Sequence, residues 1–101
     1  MKTIYQLSFK YNNFPKGVPV VDCRVIENPY KRYLTDKARM EAVRRNRHFN
    51  PLVEKAVAYL GAGDEVVIAC AYGKHRSGAV AEEVAKRVGA KIRKGGSKIW
   101  I

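Results

Sequence analysis

Apolar residues in this chain fall in short runs separated by glycine, proline and asparagine, and the period of the runs changes along the sequence. Over residues 3 to 11, β-branched and aromatic residues partly alternate with polar ones (Ile4, Gln6, Leu7, Ser8, Phe9, Tyr11). This predicts a first strand, ended by Asn12-Asn13 and Pro15-Lys16-Gly17. Residues 18 to 26 have the composition of a second strand, interrupted by Asp22 and Arg24 and closed by the Asn28-Pro29 turn. Thr35 can cap a helix that has Asp36 in its first turn and runs to about residue 47, with only Met40 and Val43 as its apolar face.

A better helix follows. Asn50 serves as a cap with Pro51 at the first helical position, and Leu52, Val53, Ala56, Val57 and Leu60 fall at helical spacing before Gly61. Asp64-Glu65 leads into a wholly apolar run, residues 66 to 69, read as a buried strand. From Gly78, residues Val80, Ala81, Val84, Ala85 and Val88 form one stripe opposite a solvated face of Glu82, Glu83, Lys86 and Arg87, and Gly89 stops the helix. Residues 90 to 94, a Gly95-Gly96-Ser97 turn and residues 98 to 101 then predict a hairpin or a bent final strand.

The alternation of strand and helix predicts an α/β fold over residues 1 to 101 as a single domain: a small, mostly parallel sheet flanked by helices, with right-handed crossovers. In such sheets ligands gather at the carboxyl ends of the strands. Cys70-Ala71-Tyr72-Gly73-Lys74-His75-Arg76-Ser77-Gly78 lies at such an end, between the buried strand and a helix. Amides wrapped round a concave turn and backed by a helix dipole favour an anion. Arg76 adds a planar fork of donors, Lys74 and His75 add positive field, Gly73 permits positive φ, and Ser77 can cap the helix and donate a hydrogen bond. Asp22, Arg24 and Asn28 are expected on the same rim.

Composition narrows the partners. A chain of 101 residues with 47% hydrophobic content folds as one globular domain rather than remaining disordered. No apolar stretch reaches the length of about 20 residues that a membrane helix requires, and Met1-Lys2-Thr3 does not open a signal peptide. A soluble, cytoplasmic protein is therefore expected, and in that compartment Cys23 and Cys70 read as free thiols. The formal charge of +11 implies polyanionic partners, RNA first. Twenty basic residues against nine acidic ones cannot all be neutralised internally. Two groups are candidate RNA contacts: Arg44, Arg45 and Arg47 near one helix, with Lys37 and Arg39 beside them, and Lys91, Arg93, Lys94 and Lys98 near the carboxy terminus. His48 and His75 are isolated, so no metal or other cofactor is expected. Tyr30, Tyr33, Phe49 and Tyr59 read as core or rim packing rather than base-stacking platforms.

Several motifs in order resemble the carboxy-terminal domain of the RapZ (RNase adapter, YvcJ-type) family: Ser8-Phe9-Lys10-Tyr11, Val21-Asp22-Cys23-Arg24 leading to Asn28-Pro29-Tyr30, Leu34-Thr35, and Cys70-x-x-Gly73-x-His75-Arg76-Ser77. The similarity runs from about Ser8 to Val88. It implies an α/β regulatory domain that binds RNA and senses a phosphorylated amino sugar. Cys70, Gly73, His75, Arg76 and Ser77 would form the anion pocket, which takes a phosphorylated small molecule or a phosphate or sulfate ion, with Asp22, Arg24 and Asn28 beside it. Oligomerisation is implied by the resemblance alone. Departures are visible: Ala71 and Tyr72 stand where the family has small or glycine residues, Cys23 where an aliphatic is usual, and the segment after Thr35 lacks the family's glycine. No Walker loop is present, so ATP binding does not carry over.

Two other function classes fit the residues. Cys70-x5-Arg76-Ser77-Gly78 also resembles the signature of cysteine-dependent phosphatases, with Cys70 as nucleophile, Arg76 as clamp, and Asp36 or Asp22 as the acid for the leaving group. A histidine directly before the cysteine, common there, is replaced by Ala69. The third class is a small protein-binding adapter, of phage or mobile-element type, that uses the same surface for a protein partner.

Overall fold

The computed structural model describes residues 1–95, so Lys98 and the last part of the expected hairpin, residues 96–101, lie outside the described residues. Within them run four strands, β1 (Thr3–Ser8), β2 (Val20–Asp22), β3 (Glu65–Cys70) and β4 (Lys91–Lys94), and three α-helices, α1 (Asp36–Arg45), α2 (Phe49–Ala62) and α3 (His75–Val88). A single 3-10 turn, Cys23–Val25, follows β2. The sheet order is β2-β3-β1-β4, and every pairing is parallel. Ile4 sits opposite Val66 and Ser8 opposite Cys70, so the two central strands end level with each other.

Both central strands are buried on both faces, which is why their sequences read as apolar runs rather than strict alternation. On one face Ile4, Val66, Ile68 and Cys70 pack with Val43 of α1, Leu52, Val53, Ala56 and Leu60 of α2, and Val80 and Val84 of α3. On the other, Tyr5, Leu7, Val67 and Ala69 are covered by Phe9, Phe14, Val18 and Val20. The helices thus form one layer, and the irregular connection from β1 to β2 forms the other. That split is what crossovers of one hand demand. Along the order β2-β3-β1-β4, the helical connections from β2 to β3 and from β3 to β4 step one way, whereas the link from β1 to β2 steps back and must pass over the opposite face.

Several predicted boundaries shift for local reasons. β1 stops at Ser8 rather than Tyr11. The Ser8 amide donates to Oδ1 of Asn12 at 2.7 Å, and the Ser8 Oγ accepts from the amides of Lys10 and Tyr11, so side chains turn the chain here although the Phe9 and Lys10 amides still reach the Cys70 and Ala71 carbonyls. β2 ends at Asp22, not Ile26, because Asp22 Oδ1 accepts from the Arg24 amide at 2.9 Å and caps the 3-10 turn.

Thr35 caps α1 as expected, accepting from the Ala38 amide at 3.1 Å. The cap expected at Asn50 does not form. α2 begins at Phe49, and Pro51 lies in the first turn, where a missing N–H removes no intrahelical bond. Gly89 closes α3 at φ 72°, the left-handed conformation that glycine adopts without strain. Residues 91–94 of the expected hairpin pair parallel with β1 instead. No helix among the described residues is long and apolar enough to cross a membrane.

Candidate functional site

The carboxyl end of β3 delivers Cys70 to a loop that three contacts fix in place. The Gly73 amide donates to Cys70 Sγ at 3.2 Å, and the Ser77 Oγ lies 3.2 Å from the same sulfur. Nε2 of Gln6, on neighbouring β1, donates to the Gly73 carbonyl at 2.9 Å. Gly73 has φ 71°, and a Cβ there would stand 3.0 Å from the Leu7 carbonyl carbon, so both conformation and space demand glycine. Cys70 and Cys23 are buried free thiols, and burial pushes the Cys23 thiol up.

Ser77 does not cap α3. The helix starts at His75, and Ser77 lies inside its first turn, fully buried, with its hydroxyl turned to the sulfur. Lys74 occupies the cap position, but its side chain caps no helix amide. The first amide of this helix with a backbone acceptor is that of Gly78, which donates to the Lys74 carbonyl at 3.0 Å. Those of His75, Arg76 and Ser77 have no acceptor among the described residues, the arrangement that gives a helix start its positive potential.

Arg76 is 8% exposed, and its Nη1 donates to the Ile26 carbonyl at 3.1 Å. A guanidinium carries five N–H groups. Nε and Nη2 of this one find no acceptor among the described residues, neither is fully buried, and Arg76 lines the adjoining cavity. Arg76 is thereby anchored at one corner and presents its remaining donors outward.

That cavity has a volume of about 740 Å³. Cys70, Lys74, His75 and Arg76 form its floor, and Asn28, Tyr30, Lys31, Arg32 and Arg39 come from the connection after β2 and the start of α1; Tyr72 and Glu27 complete it. Its only carboxylate among the described residues, Glu27, lies 3.7 Å from Arg32. Arg39 holds the far wall: its Nε donates to the Tyr33 carbonyl at 2.8 Å, its Nη2 to the Tyr30 carbonyl at 3.3 Å, and the guanidinium lies 4.2 Å from the Tyr30 ring centroid. A strongly basic cavity of this size suits a phosphorylated organic ligand.

The other predicted residues divide. Asn28 lines this cavity; Gly73 and Gly78 line a neighbouring one of about 560 Å³ with Lys74, His75, Asp36 and Lys94. Asp22 and Arg24 do not line the main cavity: they pair with each other, Nη2 to Oδ2 at 2.7 Å, and the Arg24 guanidinium lies 3.7 Å from the Phe9 ring centroid. The hydrogen bond from Arg24 holds the Asp22 carboxyl below the usual range.

Asp36 accepts from His75 Nε2 at 2.7 Å and lies 3.3 Å from Lys74 Nζ; these two neighbours likewise lower its carboxyl. Of the expected RNA contacts, Arg44 pairs with Glu82 at 3.1 Å and Arg45 with Glu41 at 3.7 Å, and Arg47 Nε reaches His48 Nε2 at 3.4 Å. Lys91, Arg93 and Lys94 lie exposed on β4. Among the described residues no group of three or more His, Cys, Asp or Glu could hold a metal ion.

Sequence reasoning missed Tyr30, Lys31, Arg32 and Tyr72 as site residues. The signal for the first three was the basic-aromatic run Tyr30-Lys31-Arg32 directly after the Asn28-Pro29 turn, at the rim where strands end, and for Tyr72 its place inside the Cys70 to Gly78 segment. Fold and site together define a parallel α/β domain with a cationic cavity at the carboxyl edge of its sheet. No known protein-family model matches the chain, and no curated protein does.

Proposed function

We propose that the domain is a regulatory binding module that holds a phosphorylated ligand in the cavity above Cys70 and contacts polynucleotide phosphates through the basic surface around it. The observation that carries this reading is Arg76, fixed by the Ile26 carbonyl and opening its remaining donors, beside the free amides of the α3 start, into a cavity that also holds Lys31, Arg32 and Lys74. Charge-assisted hydrogen bonds of this kind are the strong ones, and the fixed fork costs little further ordering on binding. The resemblance to the RapZ carboxy-terminal domain agrees with both halves of the reading.

Titration of the labelled protein with inorganic phosphate and with a sugar phosphate, followed by amide NMR, tests it. Shifts at His75, Arg76 and Ser77 that Lys74→Glu weakens and Arg76→Lys abolishes are expected. Saturating phosphate that leaves those amides unmoved rules the reading out.

A cysteine-dependent phosphatase is the second reading, favoured by the Gly73 N–H that donates to Cys70 Sγ and by the Ser77 hydroxyl, which accepts from the thiol at 3.2 Å and could donate in turn to a thiolate. A thiolate held in this way would form an S–P bond as the ester P–O bond breaks, with an acid protonating the departing oxygen. Asp36 is a poor such acid, because His75 and Lys74 stabilise it ionised. Hydrolysis of an aryl phosphate that stops in Cys70→Ser selects this reading, and no turnover from pH 5 to 8 eliminates it.

A further inference from the structure

The cavity is far larger than a phosphate needs, and its chemistry is split. A phosphate group fills on the order of 60–80 Å³, two to three waters' worth, against about 740 Å³ here. Lys74 and Arg76 stand on the floor, whereas Tyr30 and Tyr72 line it from different segments, and both residues are more than half exposed (60% and 54%). Each ring is held by neighbours. Arg39, itself pinned to the Tyr30 and Tyr33 carbonyls, lies 4.2 Å from the Tyr30 ring centroid. Lys10 Nζ lies 5.1 Å from that of Tyr72, which also meets the Tyr11 ring at 6.2 Å. Aromatic surfaces ordered in advance and left open to solvent are what a planar heterocycle stacks on, since every base has a π-face.

We propose that the cavity takes a nucleotide phosphomonoester, its phosphate on Arg76 and Lys74 and its base against Tyr30 and Tyr72, a reading that rests on the phosphoanion function argued above. The amide of Asn28 and the carboxylate of Glu27, at the same wall, supply polar partners of the kind that read a base edge. The nucleotide has two sources, a free mononucleotide or the phosphorylated end of an RNA strand, and the second would join the cavity to the basic surface outside it.

Calorimetric titration of the full chain with inorganic phosphate, ribose 5-phosphate and AMP tests the base. AMP is expected to bind about tenfold more tightly than ribose 5-phosphate, and Tyr30→Ala or Tyr72→Ala to remove most of that advantage, read in each variant as the ratio of the two affinities. Both tyrosines are exposed, so the variants retain the fold, which their far-UV spectra and melting check. Equal affinity for AMP and ribose 5-phosphate, or an AMP advantage that survives both substitutions, overturns the nucleotide inference and leaves the phosphoanion reading standing. Failure of all three ligands to bind removes both. A 5′-phosphorylated hexanucleotide that matches AMP and loses affinity when its 5′ end is hydroxyl identifies the strand end; AMP binding without it identifies the free nucleotide.

Discussion

The hydroxyl oxygen of Ser77 lies 3.2 Å from the sulfur of Cys70, joining the first turn of α3 to the last residue of β3. Both side chains are buried, so the contact is structural whether or not the sulfur has chemistry to perform. Ser77→Ala removes the hydroxyl from a site that water does not refill. A loss of about 1 kcal/mol is expected from one buried hydrogen bond, read as a fall of about 4–8 °C in Tm for a domain near 100 residues. A variant that melts with the parent protein would show that the hydroxyl contributes nothing to the joint.

Two glycines should respond oppositely to alanine. Gly73→Ala must hold a methyl at φ 71° and 3.0 Å from the Leu7 backbone, and a loss of about 1–3 kcal/mol, with distortion of the loop, is expected. Gly61 lies exposed in α2, where an added Cβ meets nothing within 4 Å, and Gly61→Ala should stabilise by about 0.4–1 kcal/mol. Urea denaturation of the two variants checks the contrast; a stabilising Gly73→Ala contradicts the loop geometry.

Asp36 carries the pH dependence of the α1–α3 contact. Hydrogen bonds from His75 and Lys74 depress its native pKa, so the unfolded chain binds the proton at higher pH than the folded one. The pair's contribution is complete above the ordinary Asp value of about 3.9 and is lost as pH falls through the lower native value. Asp36→Asn should flatten the stability profile below about pH 4 and lower stability at neutral pH, measured by denaturation between pH 2.5 and 7. Parallel profiles for the two proteins would show that the contact is not linked to protonation.

RNA affinity should fall linearly with salt on logarithmic axes, by about 0.7 per phosphate neutralised on a single strand. Lys31 and Arg32 line the cavity, and of these two only Arg32 has a carboxylate near it, Glu27 at 3.7 Å, whereas Arg44 and Arg45 lie on α1 and each pairs with a glutamate. Lys31→Glu with Arg32→Glu is therefore expected to weaken RNA binding and reduce the slope more than Arg44→Glu with Arg45→Glu. Filter binding at several salt concentrations measures both, and the reverse order would move the contact surface to α1.

The elements legible in the sequence were those whose burial left a period or a run. Val66 to Ala69 reads as a central strand because both its faces are covered, and the valine stripe of α3 reads as a helix because only one of its faces is. Element ends were less legible, because side chains compete there for backbone groups: Asn12 ends β1, Asp22 ends β2, and Ser77, a good cap by type, serves Cys70 instead. The loop announced itself through Cys70, Gly73 and Arg76. The wall opposite did not, because Tyr30, Lys31 and Arg32 become part of the cavity only when β2 is placed beside β3 and the Ile26 carbonyl takes hold of Arg76.

The sheet has unequal walls. Its helical wall is braced by regular hydrogen bonding, while its other wall is a strap in which Phe9, Phe14 and Val18 press on Tyr5, Leu7, Val67 and Ala69. Sequence drift in that strap is restricted at a few apolar anchor points and free between them. Variation and inserted length should therefore accumulate on the side of the molecule away from the helices, beyond Lys10 and Tyr11, whose contacts with Tyr72 tie the strap to the cavity.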